Sequence, residues 1–324
     1  MQAIVYQRYG TPEILECKEI AKPAPDAGEA LVRVHAAAVN PYDWHFLRGV
    51  PGFIRLFTGL RRPKFPRLGA DAAGVVEAVG SGTKELKVGD RVFGVCRGAF
   101  AQYACGKESE LAIIPSGVSF EQAASVPIAG VTALQGLRDS GTLKAGQTVL
   151  INGAAGGVGT FAVQIAKALG ATVTGVCSAR NAEMVRTLGA DRVIDYAQED
   201  FTRADRRWDV IFDLVGNHPL SAIRRALEER GTFVGCGGGG PDRSGWALMA
   251  GMLGQAIAAR FSKEKLTGVL AKVNTADLNV LAGMLESGAV KPVISKRYSL
   301  RETADAVRHV ESCHAAGKVI IAVA

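Results

Sequence analysis

Residues 148–170, reading TVLINGAAGGVGTFAVQIAKALG, join an apolar run, a glycine-paved turn and a stretch of helical periodicity. Thr148 to Asn152 has the length and β-branched content of a buried strand. Beyond the turn, Val158, Phe161, Ala162, Ile165, Ala166 and Leu169 recur on one face of a helix. Gly153, Gly156, Gly157 and Gly159 permit a tight turn between the two and let an anion approach the first N–H groups of that helix, whose positive end stabilises it. Strand, turn and helix in this order predict a parallel α/β unit with a dinucleotide pyrophosphate against Ala154, Ala155, Gly156, Gly157, Val158 and Gly159. The G-x-G-x-x-G spacing survives only as Ala154-x-Gly156-x-x-Gly159, so the flanking elements carry the assignment, with a purely structural turn as the alternative.

The next strand, Thr172 to Cys177, bears on the choice of cofactor. A site for NAD places Asp or Glu near its end to bind the ribose hydroxyls. Here the chain reads Ser178-Ala179-Arg180-Asn181. No carboxylate repels a 2′-phosphate, and a hydroxyl and a guanidinium stand ready to bind one, which favours NADPH. A solvated Arg180 at a helix start is the competing reading.

A chain of 324 residues with 48% hydrophobic content can bury two cores. The net charge of +7 suits an anionic ligand such as NADPH, and no zinc-finger, basic-zipper or aromatic RNA-recognition pattern accompanies it, so nucleic acid is not an expected partner. Six cysteines, at 17, 96, 105, 177, 236 and 313, form no C-x-x-C pair and read as free thiols. The N-terminus is strand-like rather than signal-like, and the longest apolar stretch, 246–259, is broken by Gly251, Gly254 and Gln255. A cytoplasmic protein without a membrane partner is expected.

From residue 1 to about 115 the chain reads as short β-rich runs: 1–7, 14–20, 30–39, 75–79, 91–95 and 111–115. Turns such as Gly80-Ser81-Gly82 and Gly89-Asp90 separate them, as in a compact antiparallel, barrel-like domain. From about 120, strands at Thr148, Thr172, Arg192, Asp209 and Thr232 alternate with helical stretches, as in a doubly wound parallel sheet. A sixth strand is expected at 266–271, helices at 276–286 and 304–312, and a closing strand at 317–323. Residues 1–122 with 273–324 are expected to form one domain and 123–272 the other. The strand 232–236 leads into Gly237 to Gly240, which places Cys236, Gly237 and Gly238 at the ligand crevice, in backbone reach of a nicotinamide.

The chain resembles the medium-chain dehydrogenase/reductase superfamily, in its zinc-independent quinone oxidoreductase branch. The resemblance rests on Met1-x-Ala3-Ile4-Val5, Val39-Asn40-Pro41-x-Asp43, Leu68-Gly69-x-Asp71-x-x-Gly74-Val75-Val76, Val88-Gly89-Asp90-Arg91-Val92, the 153–159 turn and the closing Gly317-Lys318-Val319. It implies an α/β protein in which a GroES-like β-barrel-type catalytic domain is interrupted by a Rossmann domain. It also implies an active site in the cleft between them, and commonly a homodimer. Zinc-dependent relatives carry a cysteine where this chain has Asn40, a histidine where it has Ala70, and a further ligand near Thr132. None of these side chains is a usual zinc ligand, so no metal is expected.

Residue by residue, the resemblance places Asn40 beside the nicotinamide and the substrate oxygen, with its amide as a hydrogen-bond donor. The alternative is a turn residue before Pro41. Tyr42, Asp43 and His45 follow on a short helical segment, Asp43 bracing the loop. His45 stands where a tyrosine often supplies a proton, so His45, Tyr42 or solvent would be the acid; a structural histidine is the alternative. Thr132 falls close to the nicotinamide face or caps a helix start, and Tyr196 lies along the adenosine ribose and 2′-phosphate or packs at the surface. Segments 50–66 and 246–261 read as pocket covers or packing elements, the second also as a dimer contact. Reduction of a quinone or an α,β-unsaturated carbonyl compound needs hydride delivery, donors for the developing oxyanion and a proton source, and no metal. An NADPH-binding regulatory, RNA-binding or lens-type protein with little turnover, and an alcohol dehydrogenase, are the rival readings.

Overall fold

The computed structural model describes residues 1–236, 263–313 and 315–323. The chain divides into two compact units, Met1–Val131 with Val273–Ala324, and Thr132–Lys272. Residues 123–131, expected with the nucleotide domain, thus group with the first unit.

In chain order the first unit holds β1 (Gln2–Val5), β2 (Glu16–Glu19), β3 (Glu29–Val39), α1 (Pro41–Arg48), α2 (Ile54–Thr58), β4 (Asp71–Val79), β5 (Arg91–Val95), β6 (Tyr103–Lys107), β7 (Leu111–Ile113) and α3 (Phe120–Ala124). Helix α4 (Pro127–Gln135) then leads into the second unit. There follow β8 (Thr148–Asn152), α5 (Gly157–Ala168), β9 (Thr172–Cys177), α6 (Ala182–Thr187), β10 (Arg192–Asp195), β11 (Trp208–Asp213), α7 (Leu220–Arg225), β12 (Leu227–Gly235) and β13 (Lys265–Gly268). The chain returns through α8 (Thr275–Glu286), β14 (Ile294–Ser299), α9 (Thr303–Glu311) and β15 (Lys318–Ala322).

Strand β3 organises the first unit. One edge pairs antiparallel with β4 along nearly its whole length. The other edge is shared, β6 taking Glu29 to Arg33 and β15 taking Ala36 to Val39. The small residues Ala36, Ala37 and Ala38 face Ala73, Ala72 and Asp71 across the sheet. Apolar side chains alternating along these strands bury Ile4, Val32, Val34, Val76, Val92, Phe100, Val319 and Ile321 with Trp44 and Leu47 of α1.

Among the described residues the second unit is a six-stranded parallel sheet in the order β10-β9-β8-β11-β12-β13. Its order reverses between β8 and β11, and the carboxyl ends of those strands are where an open α/β sheet binds ligands. Leu150, Val176, Ile194, Phe201, Trp208, Ile211 and Phe233 form its core.

Strands β6 and β14 were absent from the sequence expectation. In β14, ISKRYS, polar residues dominate because it lies at a sheet edge with its side chains largely in water. Strand β4 starts at Asp71 rather than Val75, because Ala72, Ala73 and Gly74 gain a strand conformation from pairing with β3, not from propensity. Among the described residues no helix is long and apolar enough to cross a membrane. Segment 246–261 lies outside the described residues.

Candidate functional site

Val39 ends β3 and Pro41 opens α1, the position where proline's missing N–H costs nothing, so Asn40 forms the corner between strand and helix. The Asn40 N–H donates to Asp43 Oδ2 at 2.8 Å, and Asp43 Oδ1 accepts from the Gly69 N–H at 3.1 Å. The Asn40 side chain is held at both ends. Its Nδ2 donates to Asp71 Oδ2 at 2.9 Å and to the Ala38 carbonyl at 3.4 Å, while its Oδ1 accepts from Lys318 Nζ at 2.6 Å. Lys318 Nζ also lies 3.7 Å from Asp71 Oδ2, and Asp71 Oδ1 accepts from the Ile128 N–H at 3.1 Å.

Asn40, Asp43, Asp71 and Lys318 are all buried. Burial pushes the Asp71 carboxyl up against the pull of the Lys318 ammonium, and it pushes Lys318 down against the pull of Asp71 and Asp43. Burial likewise lifts Asp43 to about 7, with two backbone N–H groups opposing. Asp71 and Lys318 entered the sequence reading only as parts of motifs. A carboxylate inside a run of small apolar strand residues, and a lysine opening an apolar closing strand, were the signals available for finding them.

Asn40 was expected to offer its amide to a substrate oxygen. The geometry directs that amide at Asp71 and Ala38 instead. His45 is half-buried, its Nδ1 lies 2.8 Å from the Val50 carbonyl, and its ring stacks on Trp44. The carbonyl can only accept, so Nδ1 carries the proton; burial lowers the ring's pKa, which leaves His45 neutral at pH 7. Tyr42 sits on the exposed side of α1 against Phe46, and burial of part of its ring pushes the phenol up to about 12, so its O–H stays protonated. Thr132 is buried within α4 rather than at its start, so it is not an opening cap.

In the second unit, Gly153 has φ +89°, and its N–H and that of Ala154 donate to the Val176 carbonyl at 3.1 and 3.0 Å. The Gly156 N–H returns to the Gly153 carbonyl at 3.1 Å. Gly156, the N-cap of α5, brings no side chain to the helix opening, and the N–H groups of Gly157, Val158 and Gly159 in the first turn have no intrahelical acceptor. A methyl group on Gly159 would lie 2.1 Å from the Gly153 oxygen, so only glycine lets the helix start this close to the strand. This cradle fits a dinucleotide pyrophosphate.

At the end of β9, Ser178 Oγ accepts from Asn181 Nδ2 at 3.3 Å, and Arg180 is exposed. Strand β10 sets Asp195 opposite Cys177, and the exposed Tyr196 donates its N–H to the Cys177 carbonyl at 3.2 Å. Ser178, Arg180 and Tyr196 are therefore gathered at neighbouring strand ends. Asp213, which ends β11, is a site residue outside the expected set. Its Oδ1 accepts from Asn152 Nδ2 and from the N–H groups of Val215 and Gly216, at 2.9 to 3.0 Å, and its carbonyl accepts from the Cys236 N–H at 2.8 Å. A carboxylate closing an apolar strand was the available signal. Burial pushes the Cys236 thiol up to about 11. Gly237 and Gly238 lie outside the described residues. Among the described residues no three His, Cys, Asp or Glu side chains converge as a metal would require.

Two families of known sequences match the chain: "Alcohol dehydrogenase GroES-like domain" over residues 26–116 and "Zinc-binding dehydrogenase" over residues 188–321. The chloroplast envelope quinone oxidoreductase homolog of Arabidopsis thaliana is 32% identical over 99% of this chain and 98% of its own length. The chloroplastic NADPH-dependent alkenal/one oxidoreductase of the same plant is 33% identical, over 99% of this chain and 79% of its own. Among solved structures, the Escherichia coli quinone oxidoreductase complexed with NADPH superposes with a TM-score of 0.84 at 29% identity, covering 100% of both chains. With identity sustained over two complete units of the same architecture, the chain belongs to the quinone oxidoreductase branch of the medium-chain dehydrogenase/reductase superfamily.

Proposed function

We propose that the protein is an NADPH-dependent reductase of quinones and α,β-unsaturated carbonyl compounds. The observation that carries this reading is the glycine-rich turn from Gly153 to Gly159, followed one strand later by a serine and an arginine where a carboxylate would select NAD. When bound, NADPH supplies a hydride to the electrophilic carbon. The chain's residues hold and orient the reactants and manage the proton. Gly157, Val158 and Gly159 receive the pyrophosphate on their N–H groups. Ser178 and Arg180 take the 2′-phosphate, Tyr196 lies along the adenosine ribose, and Cys236 leads into the glycines assigned to the nicotinamide.

Within this proposal Asn40 acts through the corner it fixes, because its own amide hydrogens are engaged. The Tyr42 hydroxyl, protonated and accessible, delivers the proton, while neutral His45 holds the loop that follows α1. Thr132 lines the nicotinamide side. The relatives named for NADPH and for alkenal/one reduction support the reading. No metal ligand is called for, since Asn40, Ala70 and Thr132 stand at the places where zinc-dependent relatives carry theirs.

Absorbance loss of NADPH, and separately of NADH, with 9,10-phenanthrenequinone, 1,4-benzoquinone and a simple enone tests this. NADPH-selective turnover that survives a chelator is expected, and Ser178→Asp is expected to erode the preference for NADPH by at least about ten-fold. Tight NADPH binding with no turnover across the panel would overturn it.

The proposal extends to a cytoplasmic homodimer. Six free cysteines support the compartment, and the resemblance to the quinone oxidoreductases supports the dimer. Sedimentation at twice the chain mass is the expected result.

A further inference from the structure

Between Asp43 and Asp71 the chain carries Arg48, Arg55, Arg61, Arg62, Lys64 and Arg67 and no carboxylate. Two of these cations are spent inside the first unit. Arg48 pairs with Glu311, and Arg55 donates to the carbonyls of Arg48 and Gly49 at 3.1 Å while its guanidinium lies 4.6 Å from the centre of the Tyr9 ring. On the same side of α2, the buried Thr58 shares a 2.8 Å hydrogen bond with the Tyr9 hydroxyl, which donates to the Gly59 carbonyl at 2.6 Å.

The short helix is therefore tied down by its polar residues, while Ile54 is half-buried and Leu56 and Phe57 face water. Leu56 and Phe57 of α2 are 65% and 75% exposed, Phe53 before it and Leu60 after it 45% and 67%, and Phe65 is 66% exposed. A helix on a globular body ordinarily does the reverse, so this arrangement presents an apolar stripe to something outside the unit. Arg61, Arg62 and Lys64 follow directly and are exposed. Glu13 and Glu16, which border the same hollow as Arg8 and Arg62, are already engaged by Arg308 and Lys18.

We propose that this stripe docks the protein peripherally on an anionic lipid bilayer. Leu56, Phe57, Leu60 and Phe65 enter the boundary between headgroups and acyl chains, and Arg61, Arg62 and Lys64 meet the phosphates. A bilayer deforms around protruding side chains of unequal length, whereas a protein partner would need a preformed hollow for each. RNA would use the cations but leave two leucines in water. The expectation of no membrane partner rested on the missing spanning segment, which bears on crossing a bilayer and not on lying against one.

Co-sedimentation of the full chain with vesicles of phosphatidylcholine alone, and of phosphatidylcholine with phosphatidylglycerol, tests the proposal. The protein is expected to pellet with the anionic vesicles and to be released by salt. Leu56→Ser with Phe57→Ser, and separately Arg61→Glu with Arg62→Glu, are each expected to lower the partition coefficient by at least about ten-fold, with the far-UV spectrum unchanged. Should either pair fail to fold, Phe57→Trp supplies the readout, its emission moving to the blue on anionic vesicles only. A wild-type chain that stays in the supernatant, or variants that pellet like it, would overturn the proposal. So would a change of sedimenting mass in the Leu56→Ser, Phe57→Ser pair, which would make the stripe a contact between copies, or binding to single-stranded RNA in place of vesicles.

Discussion

The ammonium of Lys318 answers the Asp71 carboxylate and the Asn40 amide oxygen, deep in the first unit. Removing one member of such a group leaves the others buried and uncompensated, which costs about 3–5 kcal/mol. Lys318→Met is therefore expected to lower the unfolding free energy obtained from urea titration by that amount, and an unchanged value would show that the group carries no such burden. Asp43 makes a second prediction, with a definite sign. Its carboxyl is raised in the fold from 3.8 to about 7, so the folded state holds the proton more tightly. The stability this contributes is fully present below the unfolded value and is lost as pH rises through 7. Midpoints measured from pH 4 to 8 should fall for the wild type and stay flatter for Asp43→Asn. Parallel curves would sink the assignment.

At the scale of elements, the turn between β8 and α5 depends on the absence of a side chain at Gly159. Gly159→Ala would place a methyl 2.1 Å from one backbone oxygen and 2.7 Å from a backbone carbon. Overpacking of this kind costs about 1–3 kcal/mol. Because the strain falls on the helix start that receives the pyrophosphate, and a ten-fold change in affinity is about 1.4 kcal/mol, calorimetric titration should show NADPH binding weakened by about five-fold or more. An alanine variant that binds as the wild type does would mean that the helix can retreat. This element was legible in the sequence because apolar period, glycines and helix face all lie within one contiguous run. The polar cluster was less so. Asn40 and Asp43 could be named from local sequence, but the partners that decide what Asn40's amide can do are contributed from residues 71 and 318, and no local periodicity connects those positions. The orientation of α2 was hidden for a related reason. Its polar residues are held by Tyr9, far away in sequence, and without that anchor the apolar stripe reads equally well as core.

On the scale of the whole molecule, the chain leaves the first unit at Val131 and re-enters it at Val273. Strands β14 and β15 complete the sheet around β3 only after the second unit has been made. A fragment ending at Lys272 keeps every strand of the parallel sheet but lacks β15 along Ala36 to Val39, and it lacks Lys318. Limited trypsin digestion of that fragment is expected to degrade residues 1–131 while the second unit persists, since unpaired buried backbone and an unanswered carboxylate cannot be tolerated in a core. Equal protection of both parts would show that the first unit is self-sufficient.

The inserted position of the second unit has a consequence for descent. A module appended at an end of a gene can be gained or lost by a single break, but one set between two halves of another unit needs two joins that keep both halves in frame. The nucleotide-binding and polar-cluster units of this chain are thus locked into one inheritance, free to diverge in sequence but not to part company.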